Sequence, residues 1–332
     1  MWINAVQFFR HERVDFINIF DFTTAHIEQA ARIAKRNYEE ERGFVPALPP
    51  IDKWPDLNPF AENNLGIAAF DGGEMVGFLC SYGVWENAWD TPGLRHIYSP
   101  MGANGTVPKN RAKIYARLYQ AAGEKWARVG AASHVICLYA HDTESQAQFF
   151  RYGFGMRTVD AIRGMDKIVA PAYAGYDFSD LAEEDILEIL PLENMLKYGF
   201  IESPTFMYKI PGDENEFLEN YCNCKSIYSV ARHDGKIIAF IKAEHDGQTF
   251  IQDNQGYIHI NAAFCLPEHR GKGISKRLLN LLVQELKRQG YTCLGVDFES
   301  INPSAYGFWS KDFNAYTYGV VRRIDERVIN NR

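Results

Sequence analysis

The sequence predicts an α/β protein made of two tandem domains of one kind, each a central mixed β-sheet flanked by helices. Three observations lead to this prediction: the length of the chain, an internal repeat, and a succession of strands followed by one long helix. The 332 residues exceed what a single hydrophobic core usually serves. Adjacent strands followed by a crossover helix are typical of a mixed sheet with helices on its faces.

The repeat appears when residues 72–79, GGEMVGFL, are set beside residues 234–241, DGKIIAFI. Both segments read as a tight turn that leads into a strand. Further along, Asp142 and Asn302 open similar short helical segments 160 residues apart. Two repeats are too few for a solenoid, which needs at least three. The repeat therefore indicates a duplicated domain.

We place the boundary near the segment DKIVAPAYAGYDFSD, where Pro171, Gly175 and small residues indicate a linker. The predicted domains are residues 1–168 and residues 169–332, called here the first copy and the second copy. Each has an ordinary domain size.

Helical periodicity predicts one long helix in each copy, at residues 111–128 and 274–289. Earlier in the second copy, Ser179 or Asp180 is expected to cap the first helix. Pro191 interrupts that helical pattern, which predicts a kink or two separate helices.

Composition excludes several classes of protein. A net charge of −7 argues against a dedicated nucleic-acid binder. No apolar run reaches membrane-spanning length, and the first sixteen residues do not have the pattern of a secretory signal. Six cysteines in a chain of this length do not form a disulfide framework, and Cys222 and Cys224 lack partners at zinc-ligand spacing. We therefore expect a cytoplasmic protein without a metal and without nucleic-acid or membrane partners; its oligomeric state stays open.

The segment PEHRGKGIS, residues 267–275, lies between an apolar strand-like run and a helical pattern. Gly271 and Gly273 allow positive φ and a close approach of the backbone to an anion. A helix N-terminus presents free N–H groups to phosphate, and Arg270 and Lys272 add positive charge. The segment fits neither the Walker pattern nor the GxGxxG dinucleotide pattern, so it predicts another kind of phosphate site, unless it is simply a solvated helix start.

Arg270, Gly273 and Ser275 resemble the R-x-x-G-x-[GA] motif of the GNAT acetyltransferase superfamily, with serine at the small position. The segment INPSAYGFWSK, residues 301–311, is similar to the family's N-x-x-A-x-x-[FL]-[YW] segment. The resemblance covers roughly residues 176–325 and reaches the first copy only through the repeat. It implies a GNAT fold in each copy and acetyl-CoA as co-substrate. Tandem members of the family, mycothiol synthase among them, pair a degenerate first copy with a working second copy.

The first copy departs from the motif. Lys113 stands where the second copy has Gly273, and Ala112 stands where it has Lys272. A side chain at the glycine position would obstruct the approach of an anion, and positive φ would be costly there. We therefore expect the first copy to lack the pyrophosphate site and to shape the substrate cleft or the domain interface.

The resemblance also implies the residues that bind the cofactor. Backbone N–H groups of Phe264 and Cys265 match the family's oxyanion donors, and Asn302 matches the residue beside the pantetheine arm. The full expected set is Phe264, Cys265, Arg270, Gly271, Lys272, Gly273, Ile274, Ser275, Asn302 and Trp309. Asn302 can equally cap its helix, and Cys265 is expected to pack in the core instead of acting as a nucleophile.

The catalytic residues are harder to assign. His259 occupies the strand position that resembles the family's glutamate base, and Asn261 points to the same face two residues later. Tyr306 replaces the family's tyrosine acid, whose own position here is Trp309. Glu244 and Glu299 are reserve candidates for the base. The alternative for His259 is a polar residue on the open face of a sheet.

Three functions remain open at this point. The first is acetyl-CoA-dependent N-acetylation of a small-molecule amine by direct attack in a ternary complex. The second is a non-catalytic acyl-CoA-binding regulator, since the family's usual glutamate and tyrosine are replaced. The third is acetylation of a protein lysine or N-terminus.

Overall fold

The described part of the chain forms two β-sheets with helices packed on them. The structure is a computed structural model that describes residues 17–170, 175–245, 247 and 249–330. The predictions about the first sixteen residues and about Pro171 lie outside these ranges. No helix in the described ranges combines the length and apolar character needed to cross a membrane.

The elements of the first copy follow the predicted order of strands, long helix, strand and short helix. They are β1 (Asn18–Asp21), α1 (Ile27–Phe44), α2 (Asn58–Glu62), β2 (Ile67–Asp71), β3 (Glu74–Leu79), β4 (His96–Ser99), β5 (Asn104–Thr106), α3 (Arg111–Arg128), β6 (Ser133–Tyr139), α4 (Thr143–Arg151) and β7 (Gly155–Gly164).

The second copy repeats this order. Its elements are β8 (Asp177–Asp180), α5 (Leu190–Ile201), α6 (Glu214–Cys224), β9 (Ile227–His233), β10 (Lys236–Glu244), β11 (Tyr257–Cys265), α7 (Ile274–Arg288), β12 (Cys293–Glu299), α8 (Pro303–Trp309), β13 (Asn314–Arg323) and α9 (Glu326–Asn330). β6 and β12 begin 160 residues apart, and Asp142 and Asn302 are the N-caps of α4 and α8. The predicted repeat is therefore present in the structure.

The start of the second copy corrects one prediction and confirms another. Ser179 and Asp180 lie in β8, and Ala182 precedes a 3₁₀ helix at Glu183–Ile189. The predicted cap was wrong because these polar residues pair with β9 in the sheet. Pro191 lies in the first turn of α5, where its missing N–H costs no hydrogen bond, so two helices follow one another as predicted.

The larger sheet is mixed, as the sequence predicts, and the smaller sheet is antiparallel. One has the order β1-β2-β3-β5, and the other has nine strands in the order β4-β6-β13-β7-β12-β11-β10-β9-β8. β4 pairs with β6 and β11 pairs with β12 in parallel, and the other pairs are antiparallel.

The two copies exchange their last strands. β7, from the first copy, pairs with β12 of the second copy, and β13, from the second copy, pairs with β6 of the first. β7 and β13 pair with each other between β6 and β12 of the large sheet. The boundary at residue 168 stays a prediction, but each copy's sheet continues through the strand of the other.

Apolar side chains bury the sheet on both sides of this seam. One core lies under α3 and includes Leu118 and Trp126, and another lies under α7 and includes Leu282. A third joins the copies and includes Tyr38 and Tyr316. Burial of this apolar surface is the main favourable contribution to folding, and here it also fixes the copies against each other.

Candidate active site

The predicted phosphate turn has the backbone conformation that the sequence suggested. Gly271 and Gly273 have φ of 74° and 77°, the left-handed region that favours glycine. Gly273 is the N-cap of α7, and no described side chain donates or accepts a capping hydrogen bond there. The first N–H groups of α7 therefore face outward from the turn, beside the positive end of the helix dipole.

The cations of the turn take different positions. Lys272 is exposed at the tip of the turn. Arg270 turns back, and its Nε donates to the Cys265 carbonyl oxygen at 2.8 Å, with the guanidinium 5.5 Å from the Phe264 ring centroid. Arg270 thus ties the turn to the end of β11. Among the described residues, no cluster of three His, Cys, Asp or Glu side chains could hold a metal ion.

β11 and β12 separate beside this turn. They pair in parallel from Tyr257 to Ile260, and the β10 register shifts where Ala243 faces Ile260 and Lys242 faces Ala262, which makes Asn261 a bulge residue. Beyond the bulge, residues 262–265 pair with β10, and residues 297–299 pair with β7. We call the wedge between these two segments the cleft.

One of the two predicted oxyanion donors faces the cleft. The Leu266 N–H donates to the Ile238 carbonyl oxygen at 2.9 Å, on the β10 side. Because successive N–H groups of a strand alternate in direction, Phe264 also donates towards β10 and Cys265 points its N–H into the cleft. The Phe264 N–H therefore points to β10 and not into the cleft. The Cys265 thiol is 9% exposed, and burial raises its pKa, which disfavours a nucleophilic thiolate.

The first copy fills the equivalent cleft with side chains. Asn104 takes the register position of Ala263, and its Nδ2 donates across the cleft to the Cys137 carbonyl oxygen of β6 at 3.1 Å. Thr106 takes the position of Cys265, and its N–H and carbonyl pair with the Asn37 side chain at 3.1 and 3.0 Å. An amide from α1 thus occupies the strand edge that is free in the second copy.

The turn is also replaced in the first copy. α3 begins at Arg111 after Asn110, whose φ is 63°, so Lys113 lies within the helix. The expected strain at Lys113 does not arise, because the helix starts one turn earlier. Arg111 is buried and forms ion pairs with Glu40 and with Asp142, the latter at 3.6 Å. Internal charges therefore occupy the place that the second copy leaves to an anion.

His259 lies beside the cleft but is 2% exposed. Its Nε2 is 2.8 Å from Asp297 Oδ1, and its Nδ1 is 2.5 Å from the Tyr257 hydroxyl. Since a carboxylate only accepts, Nε2 donates to Asp297 and Nδ1 accepts from Tyr257. His259 can therefore reach a substrate through Asp297, whose side chain is 32% exposed.

Asp297 and Glu299 lie on the face of β12 that points away from α7. Leu294, Val296 and Phe298 lie on the other face and pack in the core with α7. Asp297 is the first β12 residue beyond the paired region, at the edge of the cleft. Burial raises the pKa of Glu299, partly offset by Arg157, whose Nε is 3.4 Å away, and by Lys209. Sequence reasoning missed Asp297; the alternation in CLGVDFE was the available signal.

Asn261 and Glu244 form one group. Glu244 is 4% exposed and accepts from Asn261, from the Ser226 hydroxyl at 2.5 Å and from Lys242 at 3.0 Å. This satisfied carboxylate positions Asn261 at the bulge, which makes it a poor candidate for a free base.

α8 carries the other predicted residues. Asn302 caps the helix by accepting from the N–H groups of Ser304 and Ala305 at 3.1 and 3.2 Å. Tyr306 is 44% exposed and lies edge-on to Phe298. Trp309 is 6% exposed and packs between Phe308 and Phe313. The structure brings Asn302 and Tyr306 to the surface near the cleft and places Trp309 in the core.

The second copy is similar in sequence to one family of enzymes. The sequence model of the acetyltransferase (GNAT) family matches residues 195–314, which include the turn, the cleft and α8. The match lies entirely within the second copy and covers about a third of the chain.

Solved structures share the fold. A GCN5-related N-acetyltransferase from Sphaerobacter thermophilus superposes with a TM-score of 0.58 and 13% identity over 92% of this chain and 95% of that chain. A GCN5-related glucosamine N-acetyltransferase region of a fungal multi-domain β-N-acetylglucosaminidase superposes with a TM-score of 0.51 and 15% identity. The match covers 92% of this chain and 38% of that chain. At these identities the likeness concerns the fold alone. No curated protein matches the sequence.

Proposed function

We propose that the protein is an acetyl-CoA-dependent N-acetyltransferase that acts on the amine of a small molecule by direct attack in a ternary complex. The observation that carries the proposal is the open cleft of the second copy. It joins a phosphate-binding turn at Gly271 and Gly273 to a strand edge at Cys265 whose N–H points inward. The same two features are absent from the described first copy, where side chains replace them.

The residues of the second copy fit acetyl-CoA in separate ways. The N-terminus of α7 and Lys272 suit a pyrophosphate, because free N–H groups and a cation stabilise its negative charge. The edge of residues 262–265 that faces β12 suits the amides of a pantetheine arm, which can pair with a strand as another strand would. The Cys265 N–H suits the oxyanion that forms as the thioester is attacked.

Carboxylates near the cleft support an amine as the acceptor. Asp297 and Glu299 share one face of β12, and Asp297 reaches the cleft edge. Such groups attract an ammonium ion and can accept its proton before the free amine attacks. Tyr306, exposed on α8, is the candidate that protonates the departing thiolate; His259 acts through Asp297.

The test is thermal unfolding with and without acetyl-CoA on the wild type, on Gly273→Asp and on Lys113→Asp, its sequence counterpart in the first copy. A ligand at a hundred times its Kd stabilises the state that binds it by about 2.7 kcal/mol. We expect stabilisation of the wild type and of Lys113→Asp, and none of Gly273→Asp. An equal response of all three proteins, or none in the wild type, would contradict the proposal.

Thiol release from acetyl-CoA then separates an enzyme from a regulator. The probe amines are tyramine, putrescine and a lysine-containing peptide. Release with tyramine or putrescine supports a small-molecule acceptor, and release with the peptide alone supports protein acetylation. Binding without release from any of them supports the regulator. We also propose a cytoplasmic location, since all six cysteines are free thiols.

A further inference from the structure

A row of polar side chains crosses the seam between the two copies. On β13, the Thr317 hydroxyl donates to Asp160 Oδ2 of β7. Asp160 faces Asp297 directly in the β7–β12 register, and Asp297 accepts from His259 of β11 at 2.8 Å. Asp160 is the member of this row that comes from the first copy.

Exposure divides the row into an outer and an inner part. Asp297 has a side chain that is 32% exposed, whereas Asp160 and His259 are 6% and 2% exposed. Only the outer carboxylate of these three can meet a substrate in the cleft. The inner groups act on it by charge and by hydrogen bonding.

The equivalent positions of the first copy show which residues occupy this part of the sheet where the cleft is closed. When the β11–β12 pair is set on the β4–β6 pair by register, His259 corresponds to Tyr98 and Asp297 corresponds to Cys137. The counterpart of Asp160 is Gly319, which faces Cys137 and Thr158 as Asp160 faces Asp297 and Thr317. At these register positions the first copy has no carboxyl group, whereas the second copy has Asp297, which is hydrogen-bonded to His259 and faces Asp160.

We infer that Asp160 is a positioning residue of the acyl-transfer site: through its exchanged strand, the first copy supplies a second carboxyl group that faces Asp297 and favours proton uptake by the facing pair. This inference rests on the proposed function. It gives the first copy a role in the chemistry although its own cleft is closed.

The electrostatic reason is that two facing carboxyl groups in a buried sheet cannot both ionise without cost. Burial and the negative charge of Asp297 raise the pKa of Asp160 to about 6, partly offset by the Thr317 hydrogen bond and by His259. Once Asp160 is ionised, the facing pair of carboxylates takes up a proton more readily than a lone carboxylate would. A carboxylate that holds a proton more tightly is a better acceptor for the proton of an ammonium ion.

The proton balance of the step follows. Asp297 takes one proton from the substrate ammonium, so an N–H bond breaks and an O–H bond forms. The amine then forms the C–N bond, the C–S bond breaks, and its electron pair stays on sulfur. Tyr306 is the candidate that gives its hydroxyl proton to that thiolate, and it regains a proton when the second nitrogen proton is transferred to it. Asp297 finally releases its proton to solvent.

Other titratable groups surround Asp160 and must be separated from the carboxyl pair. They are Tyr257 on β11, Tyr316 on β13, Tyr98 on β4 and Cys137 on β6. Burial raises the pKa of all four, so they stay neutral around pH 7. Besides Asp160, Asp297 and His259, two carboxyl groups adjoin the row: Glu299 interacts with Asp297 on the same face of β12, and Glu244 faces His259 in the sheet register.

The decisive experiment follows the aspartate carboxyl carbons of the full chain by NMR from pH 4 to pH 8. Asp160→Asn assigns the resonance of Asp160, and the exposed Asp166→Asn is the matched control. We expect Asp160 to titrate near pH 6 and its midpoint to fall by about one pH unit in Asp297→Asn. An ordinary midpoint, or one that Asp297→Asn leaves unchanged, would overturn the inference whether or not acetyl-CoA binds.

Thiol release from acetyl-CoA, with the probe amines above, links the coupling to the reaction. We expect Asp160→Asn to retain stabilisation by acetyl-CoA and to move the acidic limb of kcat/KM to lower pH, with Asp160→Glu restoring part of it. An equal loss of rate at every pH would assign Asp160 a structural role and overturn the inference. Failure of acetyl-CoA to stabilise the wild type would instead count against the proposed function.

Discussion

The two clefts of this molecule lie on the same sheet framework, yet one is open and the other is filled. In the second copy, Ala263 leaves the space between β11 and β12 free. In the first copy, Asn104 crosses the same space to the Cys137 carbonyl oxygen, and Asn37 pairs with Thr106 where Cys265 offers its N–H. Two side-chain amides that hydrogen-bond the strand edges are therefore enough to fill a cleft of this kind.

The copies differ equally at the turn. Gly271 and Gly273 hold the left-handed conformation in front of α7, whereas α3 starts a turn earlier and buries Arg111 among Glu40 and Asp142. A buried cation with its own carboxylates needs no external anion. Both changes satisfy the polar groups of the first copy's cleft with groups of the same copy. The last strand of the first copy, β7, pairs with β12 of the second copy.

The largest effect is expected when the open cleft is filled in the same way. Ala263→Asn introduces the side chain that closes the first copy, within reach of the Asp297 carbonyl oxygen. We expect acetyl-CoA affinity to fall at least about a hundredfold, which removes about 2.7 kcal/mol of binding free energy. Isothermal titration calorimetry measures this loss. Ala263→Gly is the control and should retain binding; undiminished binding by Ala263→Asn would show that the ligand does not use this cleft.

A smaller effect is expected from opening the filled cleft. Asn37→Ala leaves the N–H and carbonyl of Thr106 buried without their amide partner. We expect the free energy of unfolding to fall by about 2.5 kcal/mol, because each of the two buried backbone groups loses a hydrogen bond. Urea unfolding measures the change, with the exposed Arg36→Ala as control. Stabilisation by acetyl-CoA should persist, and its loss would place the ligand in the first copy.

The smallest effect is a pH dependence of stability. The pKa of Asp160 is raised to about 6 in the folded state, above its unfolded value, so its contribution is fully present below pH 4 and is lost as the pH rises through 6. Relative to Asp160→Asn, the wild type should lose about 2 kcal/mol of unfolding free energy between pH 4 and pH 8. Urea unfolding at both pH values checks this, and a constant difference would contradict it.

Much of the fold could be predicted because local patterns carry it. The repeat spacing, the long helices and the positive φ of Gly271 and Gly273 follow from periodicity and from the conformational freedom of glycine. The exchange of β7 and β13 could not be predicted in this way. An apolar strand reads the same whichever buried neighbour it pairs with, and register depends on contacts far apart in sequence.

The site was predicted in part for the same reason. Arg270 and Gly273 stand in one short motif, whereas Asn37 and Thr106 meet across 69 residues and Asp160 and Asp297 face each other only through the exchanged strand. His259 was predicted as a base from its strand position, but its burial became visible only with the sheet assembled. Asp297 was missed because the strand pattern does not say which edge is open.

The stoichiometry of acetyl-CoA binding tests most directly whether the second copy alone binds acetyl-CoA. Calorimetric titration of the wild type should give one acetyl-CoA per chain. The same titration should give one for Lys113→Asp and none for Gly273→Asp. Two sites per chain, or a single site that Lys113→Asp removes and Gly273→Asp retains, would contradict the assignment of an open second copy and a closed first copy.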